Sequence, residues 1–153
     1  MEIRRAQAAD ADRILELLGQ VAGVHRAIRP DLFVGKTKYS REDLLSLLEN
    51  PERPVFVAVE EDLVVGYAFL WFEERHGGVL APGTELYLDD LCVDEKWRHK
   101  KVASALFGHV CEYGRNMGCA ELTLNVWTGN DGALAFYEKM GMKPQKVKME
   151  LPL

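Results

Sequence analysis

Cysteine is scarce in this 153-residue sequence, and no two cysteines are spaced as a pair. Cys92, Cys111 and Cys119 are odd in number and form no Cys-x-x-Cys motif, which argues against a disulfide framework and favours a reducing compartment. No run approaches the roughly 18 consecutive apolar residues of a membrane span. Residues 1–13, MEIRRAQAADADR, also lack the apolar stretch of a signal peptide. We therefore expect a cytoplasmic protein that does not bind membranes.

Basic residues are not in excess either. The chain has 24 acidic and 19 basic residues, a formal net charge of −5. A protein that binds nucleic acid through its phosphates is normally basic, so the composition disfavours that class. The four histidines are scattered without the spacing of zinc ligands, and we expect no metal site: His25, His76, His99 and His109.

What the sequence does contain is a regular succession of strand and helix patterns, of a length that suits one domain over residues 1–153. The apolar periodicity and the capping residues predict an α+β fold. Predicted helices cover residues 10–23, 40–50, 100–117 and 130–140. Predicted strands cover residues 1–5, 54–60, 63–74, 85–93, 120–127 and 145–151, with a hairpin turn at Glu61-Asp62.

Four basic or potentially basic side chains stand in a row where the third helix is expected to begin: Arg98, His99, Lys100 and Lys101. A helix amino terminus leaves several backbone N–H groups unpaired and carries partial positive charge, so it binds phosphates readily. The small residues Ala103 and Ser104 would let a ligand approach the first helical turn. The alternative interpretation is a solvated basic turn without a ligand.

The stretches LCVDEKWRHKKVASALF (91–107) and LTLNVWTGNDGALAFYEKMGM (122–142) resemble the acetyl-CoA-binding half of the GNAT superfamily of N-acetyltransferases. This resemblance implies a mixed, mostly antiparallel central sheet of six to seven strands flanked by about four helices. It also implies acetyl transfer from acetyl-CoA, without a metal, to a primary amine of a small molecule or peptide, and a possible homodimer. A GNAT-like domain that binds acyl-CoA as a sensor or scaffold, without turnover, is the alternative.

The family's pyrophosphate loop reads Gln/Arg-x-x-Gly-x-Gly/Ala, and the basic run matches its two ends. Arg98 and Ala103 occupy those ends, but Lys101 stands where glycine is usual. A helical φ would accommodate a lysine, whereas a positive φ would favour glycine and distort the loop. We expect Lys101 to adopt a helical φ and to direct its ammonium group to the pyrophosphate. By resemblance, further cofactor contacts are the backbone of Leu91, Cys92 and Val93, the helix start at Val102, Asn130, and Tyr137.

The chemistry of acetyl transfer needs an acid for the departing thiolate and a base for the amine. The resemblance assigns the acid to Tyr137, whose phenol is protonated at neutral pH and is able to donate to sulfur. Glu85 and Asp89 are candidates for the base, and a chain of water molecules is the alternative. Strict strand alternation would place both on one face and Asp90 on the other.

The acceptor amine is expected to bind on the amino-terminal half of the chain. The segment between the first two helices lies where the family forms its substrate groove. Its residues His25, Arg29 and Phe33 are predicted to face Trp71 of the third strand across this groove. The alternative for the two aromatic residues is a place in the hydrophobic core.

Overall fold

Five strands and four α-helices build the chain. The structure is a computed structural model that describes all residues, 1–153. In chain order the elements are β1 (Glu2–Arg5), α1 (Ala11–Ile28), α2 (Arg41–Glu49), β2 (Val55–Glu60), β3 (Leu63–Arg75), β4 (Gly83–Val93), α3 (Val102–Asn116), β5 (Glu121–Thr123) and α4 (Asp131–Lys139), with short 3-10 turns at Ala8–Asp10 and Glu95–Trp97. The α+β class and the number of helices agree with the sequence prediction.

The strands form one sheet in the order β1-β2-β3-β4-β5. The first four strands are antiparallel to their neighbours, and β5 runs parallel to β4. The predicted hairpin is present, because Glu61 and Asp62 connect β2 to β3. Both residues have positive φ angles, 48° and 64°, which match the backbone of a tight two-residue hairpin turn.

The prediction of six to seven strands is wrong, because the sheet has five. Residues 145–151 alternate as a strand would, yet they pair with no other segment, and Val147 and Met149 are exposed. Within 120–127 only residues 121–123 pair. Alternation indicates that a segment is able to form a strand, but a strand also needs a neighbouring backbone edge for its hydrogen bonds.

The helix ends follow local signals that the sequence carries. The Ser40 hydroxyl accepts a hydrogen bond from the Asp43 N–H at 3.1 Å, and this cap begins α2 as predicted. Gly118, with φ of 75°, follows the end of α3. α1 continues to Ile28, beyond its predicted end near residue 23. None of the helices is both long enough and apolar enough to cross a membrane.

The sheet separates two hydrophobic layers. α1 and α2 pack on one face, where their side chains meet alternate residues of β2 and β3 together with Cys92. α3 and α4 pack on the other face, around Phe107 and Val110. Because the two layers use alternate residues of the same strands, the central strands are buried on both sides. The far end of β4 therefore lies between two helical layers, and this is where the candidate site forms.

Candidate active site

The sheet opens between β4 and β5. Their last paired residues are Tyr87 and Thr123, whereas β4 continues to Val93. The edge of β4 over residues 88–93 therefore has no strand on its β5 side, and its backbone is available to a ligand. Three of the predicted cofactor contacts lie on this edge, and their side chains pack into the hydrophobic layers on either side: Leu91, Cys92 and Val93.

A β-bulge interrupts β4 at the beginning of this open edge. Leu70 of β3 pairs with Leu88, but the preceding residue, Phe69, pairs with Asp90. Asp89 is consequently an extra residue without a partner on β3. A bulge bends the strand locally and changes the direction of the side chains around it. Strict alternation therefore does not hold across Asp89 and Asp90.

Both aspartates contact residues from the side of the sheet that carries α1 and α2. Asp89 forms an ion pair with Lys38 of the α1–α2 connection, and only 8% of its side chain is exposed. Asp90 accepts a hydrogen bond from the Tyr67 hydroxyl at 2.9 Å. The prediction that the two carboxylates point to opposite faces is wrong, because it assumed a strand without a bulge.

Asp90 belongs to a buried polar group with Tyr67 and Cys92. Burial raises the pKa of Asp90 to about 6, and the hydrogen bond from Tyr67 only partly offsets this effect. Burial, followed by the charge of Asp90, raises the pKa of the Cys92 thiol to about 12. Its sulfur lies 3.7 Å from the Leu17 carbonyl oxygen. Cys92 is therefore a protonated core residue at neutral pH and is not an activated nucleophile.

Tyr137 lies on α4 on the opposite side of the sheet. Its ring packs against Phe107 and Phe136, with centroids 5.9 Å and 5.1 Å away. Burial raises the pKa of the Tyr137 hydroxyl above its usual value, and the negative charge of Asp90 contributes to the rise. The phenol consequently keeps its proton at neutral pH. Tyr137 also packs against the hydrophobic cluster that Leu88 and Leu91 of the open β4 edge join.

Glu85, the other carboxylate predicted as a base, lies in a different environment. It accepts a hydrogen bond from the Thr123 hydroxyl and lies 3.6 Å from a nitrogen of Arg75, which also pairs with Glu121. It lies four positions before Asp89 on β4, which is about 13 Å along an extended strand. Glu85 therefore does not lie at the bulge. Its contacts with Arg75 and Thr123 connect β4 to β3 and to β5.

The basic run forms the turn that leads into α3. His99 and Lys101 both have φ of 64°, and Lys101 is the residue before the first helical residue, Val102. The prediction of a helical φ at Lys101 is therefore wrong. The lysine adopts the left-handed conformation, which a glycine adopts without strain and which costs about 1–2 kcal/mol for a residue with a β-carbon.

The beginning of α3 nevertheless has the donors that an anion requires. The Ala105 N–H makes the first helical hydrogen bond, to the Lys101 carbonyl at 3.0 Å. The N–H groups of residues 102–104 therefore precede the helical ladder. Arg98 and Lys101 are exposed beside them, and the Lys100 ammonium lies 4.3 Å from the Trp97 ring centroid. The basic residues predicted to bind a pyrophosphate thus directly precede helical N–H groups that have no helical partner.

The predicted acceptor residues lie in two groups. His25 packs on Phe33 with ring centroids 4.8 Å apart, and Phe33 meets the edge of Trp127. Arg29 lies above Trp127 but is neutralised by Glu150 and by the adjacent Asp31. Burial and the positive charge of Lys38 lower the pKa of His25, which favours the neutral imidazole.

Trp71 belongs to the second group, an aromatic surface along β3 and β4. Its ring stacks on Tyr87 at 4.5 Å, and the Tyr87 hydroxyl accepts a hydrogen bond from Asn125 at 3.0 Å. Tyr39 stacks on Phe69 at 5.6 Å, beside the bulge. Lys38 precedes Tyr39 in the chain and holds Asp89, so this aromatic surface extends up to the carboxylate pair.

Comparison with known proteins agrees with this geometry. The model of the acetyltransferase (GNAT) family matches residues 21–142. The chain belongs to the GNAT family. Two similar proteins are a thialysine N-epsilon-acetyltransferase of Bos taurus, 27% identical over 91% of this chain and 82% of its own, and a glucosamine 6-phosphate N-acetyltransferase of Trypanosoma brucei brucei, 28% identical over 100% and 96%. A crystal structure of a mutant BH1408 protein from Bacillus halodurans superposes with a TM-score of 0.95, at 29% identity, over 100% and 99% of the two chains.

GNAT acetyltransferases use acetyl-CoA, and the residues present fit that donor. The open edge of β4 provides free backbone groups, and the beginning of α3 provides unpaired N–H groups together with cationic side chains. Asn130 caps α4 by accepting a hydrogen bond from the Ala133 N–H at 3.3 Å. Its contact with the donor stays a prediction. Nowhere in the chain do three or more His, Cys, Asp or Glu side chains gather in a way that would hold a metal ion.

Sequence reasoning missed several residues of this GNAT site because their positions depend on the tertiary fold. Asp90 and Tyr67 are brought together by the bulge, and the only local signal is the Asp-Asp pair in the fourth strand. Lys38 and Tyr39 follow a loop without apolar periodicity. Trp127 was included only as the end of a predicted strand. None of these residues lies in the pyrophosphate loop, whose motif matches the family.

Proposed function

We propose that this GNAT acetyltransferase transfers the acetyl group of acetyl-CoA to a primary amine of a small molecule or peptide. The observation that carries the proposal is the pair of carboxylates at the β4 bulge, beside an open edge whose Leu88 and Leu91 share a hydrophobic cluster with Tyr137 of α4. This arrangement provides a proton acceptor on the α1–α2 side and a proton donor on the α4 side. An acyl transfer between an amine and a thioester requires both.

In this proposal acetyl-CoA supplies the acetyl group as a thioester. The positive side chains of residues 98–101 and the N–H groups of Val102, Ala103 and Ser104 hold its phosphates. The backbone of residues 91–93 binds the arm that carries the thioester. An N–H of the same edge, fixed by the sheet, stabilises negative charge that develops on the reacting carbonyl oxygen.

The proton transfers are assigned to Asp89 and Tyr137. The amine arrives as an ammonium group and must lose a proton before it attacks, because the pKa of a primary amine is about 10.4. Asp89 already holds the Lys38 ammonium, so it binds the group that an acceptor would bring. Tyr137 keeps its proton at neutral pH and donates it to the sulfur that leaves.

Competition between acceptor and Lys38 follows from this assignment. Only one ammonium group is able to occupy Asp89 closely, and a bound acceptor must displace Lys38, whose side chain is 44% exposed. The aromatic rings next to the bulge suit the apolar part of an amine and its positive end. The similar proteins act, by name, on thialysine and on glucosamine 6-phosphate, which supports a small amine as the acceptor class.

The test is an acetylation screen in which CoA release is measured for a panel of amines, amino acids, amino sugars and peptides. We expect at least one primary amine to be acetylated with release of one CoA per product, confirmed by mass spectrometry. Acetyl-CoA that binds without turnover on any acceptor of the panel would favour a sensor or scaffold role instead.

We also propose that residues 1–153 form one acetyltransferase domain, which acts in the cytoplasm as a homodimer. Support for the dimer is the carboxyl-terminal segment, which exposes apolar side chains at residues 147, 149, 151 and 153 without a partner in its own chain. The three unpaired cysteines support a reducing compartment. Light scattering at two protein concentrations tests the dimer, and a truncation before residue 145 is expected to weaken it.

A further inference from the structure

Arg53 differs from the other partly buried arginines of this chain. Arg53 forms no ion pair, whereas each of the other four lies within 4.0 Å of a carboxylate: Arg4, Arg13, Arg29 and Arg75. Its Nε atom is buried and has no hydrogen-bond partner, and it is the one such side-chain atom in the structure. A partly buried cation without a counter-charge is costly, and an unsatisfied buried donor indicates a missing partner.

The guanidinium group of Arg53 lies on the aromatic surface next to the carboxylate pair. Its central carbon is 4.7 Å from the Trp71 ring centroid, and Nη2 is 3.4 Å from the Tyr39 hydroxyl. Trp71 stacks on Tyr87, which precedes Asp89 by two residues, or about 7 Å along the strand. The cation and the proposed proton acceptor are thus both connected to this aromatic surface, Arg53 through Trp71 and Tyr39, and Asp89 through Lys38.

One edge of this guanidinium has the donor geometry that binds an oxyanion. Nε and Nη2 point in the same direction on one edge of the planar group, and two parallel N–H donors bind a carboxylate or phosphate in bidentate geometry. The only partner on this edge is the Tyr39 hydroxyl, at a long distance, and it is an uncharged group that a stronger acceptor would replace. Stacking on Trp71 fixes the plane of the group without using these donors.

We propose that Arg53 binds an anionic group of the acceptor, so that the substrate is an amine that also carries a carboxylate or phosphate. The amine would be held at Asp89 and the oxyanion at Arg53, with the connecting chain over Trp71 and Tyr87. This inference rests on the proposed acetyl transfer, and it adds a specificity that the reaction itself does not need. A diamine without an anion would leave Arg53 unpaired.

Matched acceptors test this specificity. Lysine and 1,5-diaminopentane differ only in the carboxylate, and glucosamine 6-phosphate and glucosamine differ only in the phosphate. We expect the wild-type protein to acetylate the anionic member of at least one pair with the lower KM. Arg53→Gln should raise that KM about 10–100-fold, the loss of one charge-assisted bidentate contact, and should change the KM of the member without an anion less than about twofold. A response to Arg53→Gln in the lysine pair would indicate that Arg53 binds a carboxylate, and a response in the glucosamine pair would indicate a phosphate.

Two control variants separate recognition from packing. Arg53→Lys keeps the charge but lacks the planar edge, and should recover only part of the affinity. Arg41→Gln removes an exposed arginine of α2 that pairs with Asp12 outside the aromatic surface, and should leave both KM values unchanged. Thermal melting of each variant verifies the fold.

The inference is overturned if Arg53→Gln changes both members of a pair equally, or if the wild type prefers the members without an anion. It is also overturned if the wild type acetylates only amines outside these pairs that carry no anion. In each of these cases the proposed acetyl transfer stands. If no amine of any class is acetylated, the result contradicts the proposed acetyl transfer itself and not only the role of Arg53.

Discussion

The Tyr67 hydroxyl donates a hydrogen bond to Oδ2 of Asp90 at 2.9 Å; the tyrosine is fully buried and the aspartate partly buried. This contact holds Asp90 next to the bulge on the α1–α2 side of the sheet. A carboxylate removed from water is stable only with such partners, and here the Tyr67 hydroxyl, the charge of Lys38 and the Leu91 N–H only partly offset the loss of hydration. The site therefore keeps a carboxyl group with a pKa close to neutrality, and this has a measurable effect on stability.

The substitution Asp90→Asn should stabilise the protein at neutral pH. The pKa of Asp90 is about 6 in the folded chain and about 3.9 in an unfolded one. Between these two pKa values the folded state binds more protons than the unfolded state. The contribution of Asp90 therefore lowers the free energy of unfolding as the pH rises from about 4 to 6, and this loss of stability persists above pH 6. Asparagine still accepts from Tyr67 and removes the buried charge. We expect a gain of about 1–3 kcal/mol at pH 8 that shrinks at pH 4.

Urea unfolding at pH 4, 6 and 8 measures this gain as the difference between variant and wild type, in which other titrating groups cancel. Tyr67→Phe is the companion variant, because it removes the donor and should destabilise the protein at pH 8. A difference between Asp90→Asn and wild type that is the same at all three pH values would mean that Asp90 is not protonated preferentially in the fold.

The two candidate bases should respond differently to removal of their charge. Asp89→Asn should lower kcat by about 10²–10⁴-fold if proton abstraction limits the rate, because Asp89 lies at the bulge. Glu85→Gln should change kcat little and should instead lower stability, because Glu85 contacts Thr123 and Arg75. Steady-state kinetics with an identified acceptor and thermal melting of both variants provide the comparison. Equal activity of Asp89→Asn and wild type would favour a chain of water molecules.

Tyr137→Phe isolates the phenol from the ring. The ring packing against Phe107 and Phe136 is retained, so the melting temperature should remain close to that of the wild type. Turnover should fall by about 10²–10⁴-fold if protonation of the thiolate limits the rate. Phe136→Leu serves as a control for altered packing without loss of a proton donor. A Tyr137→Phe variant with the parent rate would assign the tyrosine to structure alone.

Local features of the fold were predictable from sequence, and features that depend on pairing were not. The Ser40 cap, the Asn130 cap and the hairpin at Glu61 and Asp62 are determined by neighbouring residues, and all three are present. The unpaired segment 145–151 depends on whether another edge is available to it. Its alternation alone did not contain that information.

The same distinction applies to the candidate site. The basic run and Tyr137 were recognised because each lies in a contiguous stretch that resembles the family. The bulge at Asp89 could not be recognised, because it is a mismatch in pairing between β3 and β4 and leaves no mark in either strand alone. Arg53 was missed for a similar reason. Only the folded chain shows that this arginine has no carboxylate partner and that its Nε has no hydrogen bond.

Lys101→Gly tests the corrected conformation of the basic loop. Lys101 has φ of 64°, where glycine avoids the β-carbon strain, so the variant should be more stable by about 1 kcal/mol. Lys100→Gly is the matched control. It removes the same charge one residue earlier, at a position without positive φ, and should gain no stability.

The two glycine variants also separate charge from conformation in CoA binding. Each loses one positive charge, so both should bind CoA more weakly than the wild type in calorimetry, by similar factors, and the loss should diminish at high salt. Pantetheine, which has no pyrophosphate, should bind all three proteins equally and weakly. Tighter binding of CoA by Lys101→Gly than by the wild type would mean that the lysine side chain obstructs the loop, because its removal would then favour binding more than the lost charge weakens it.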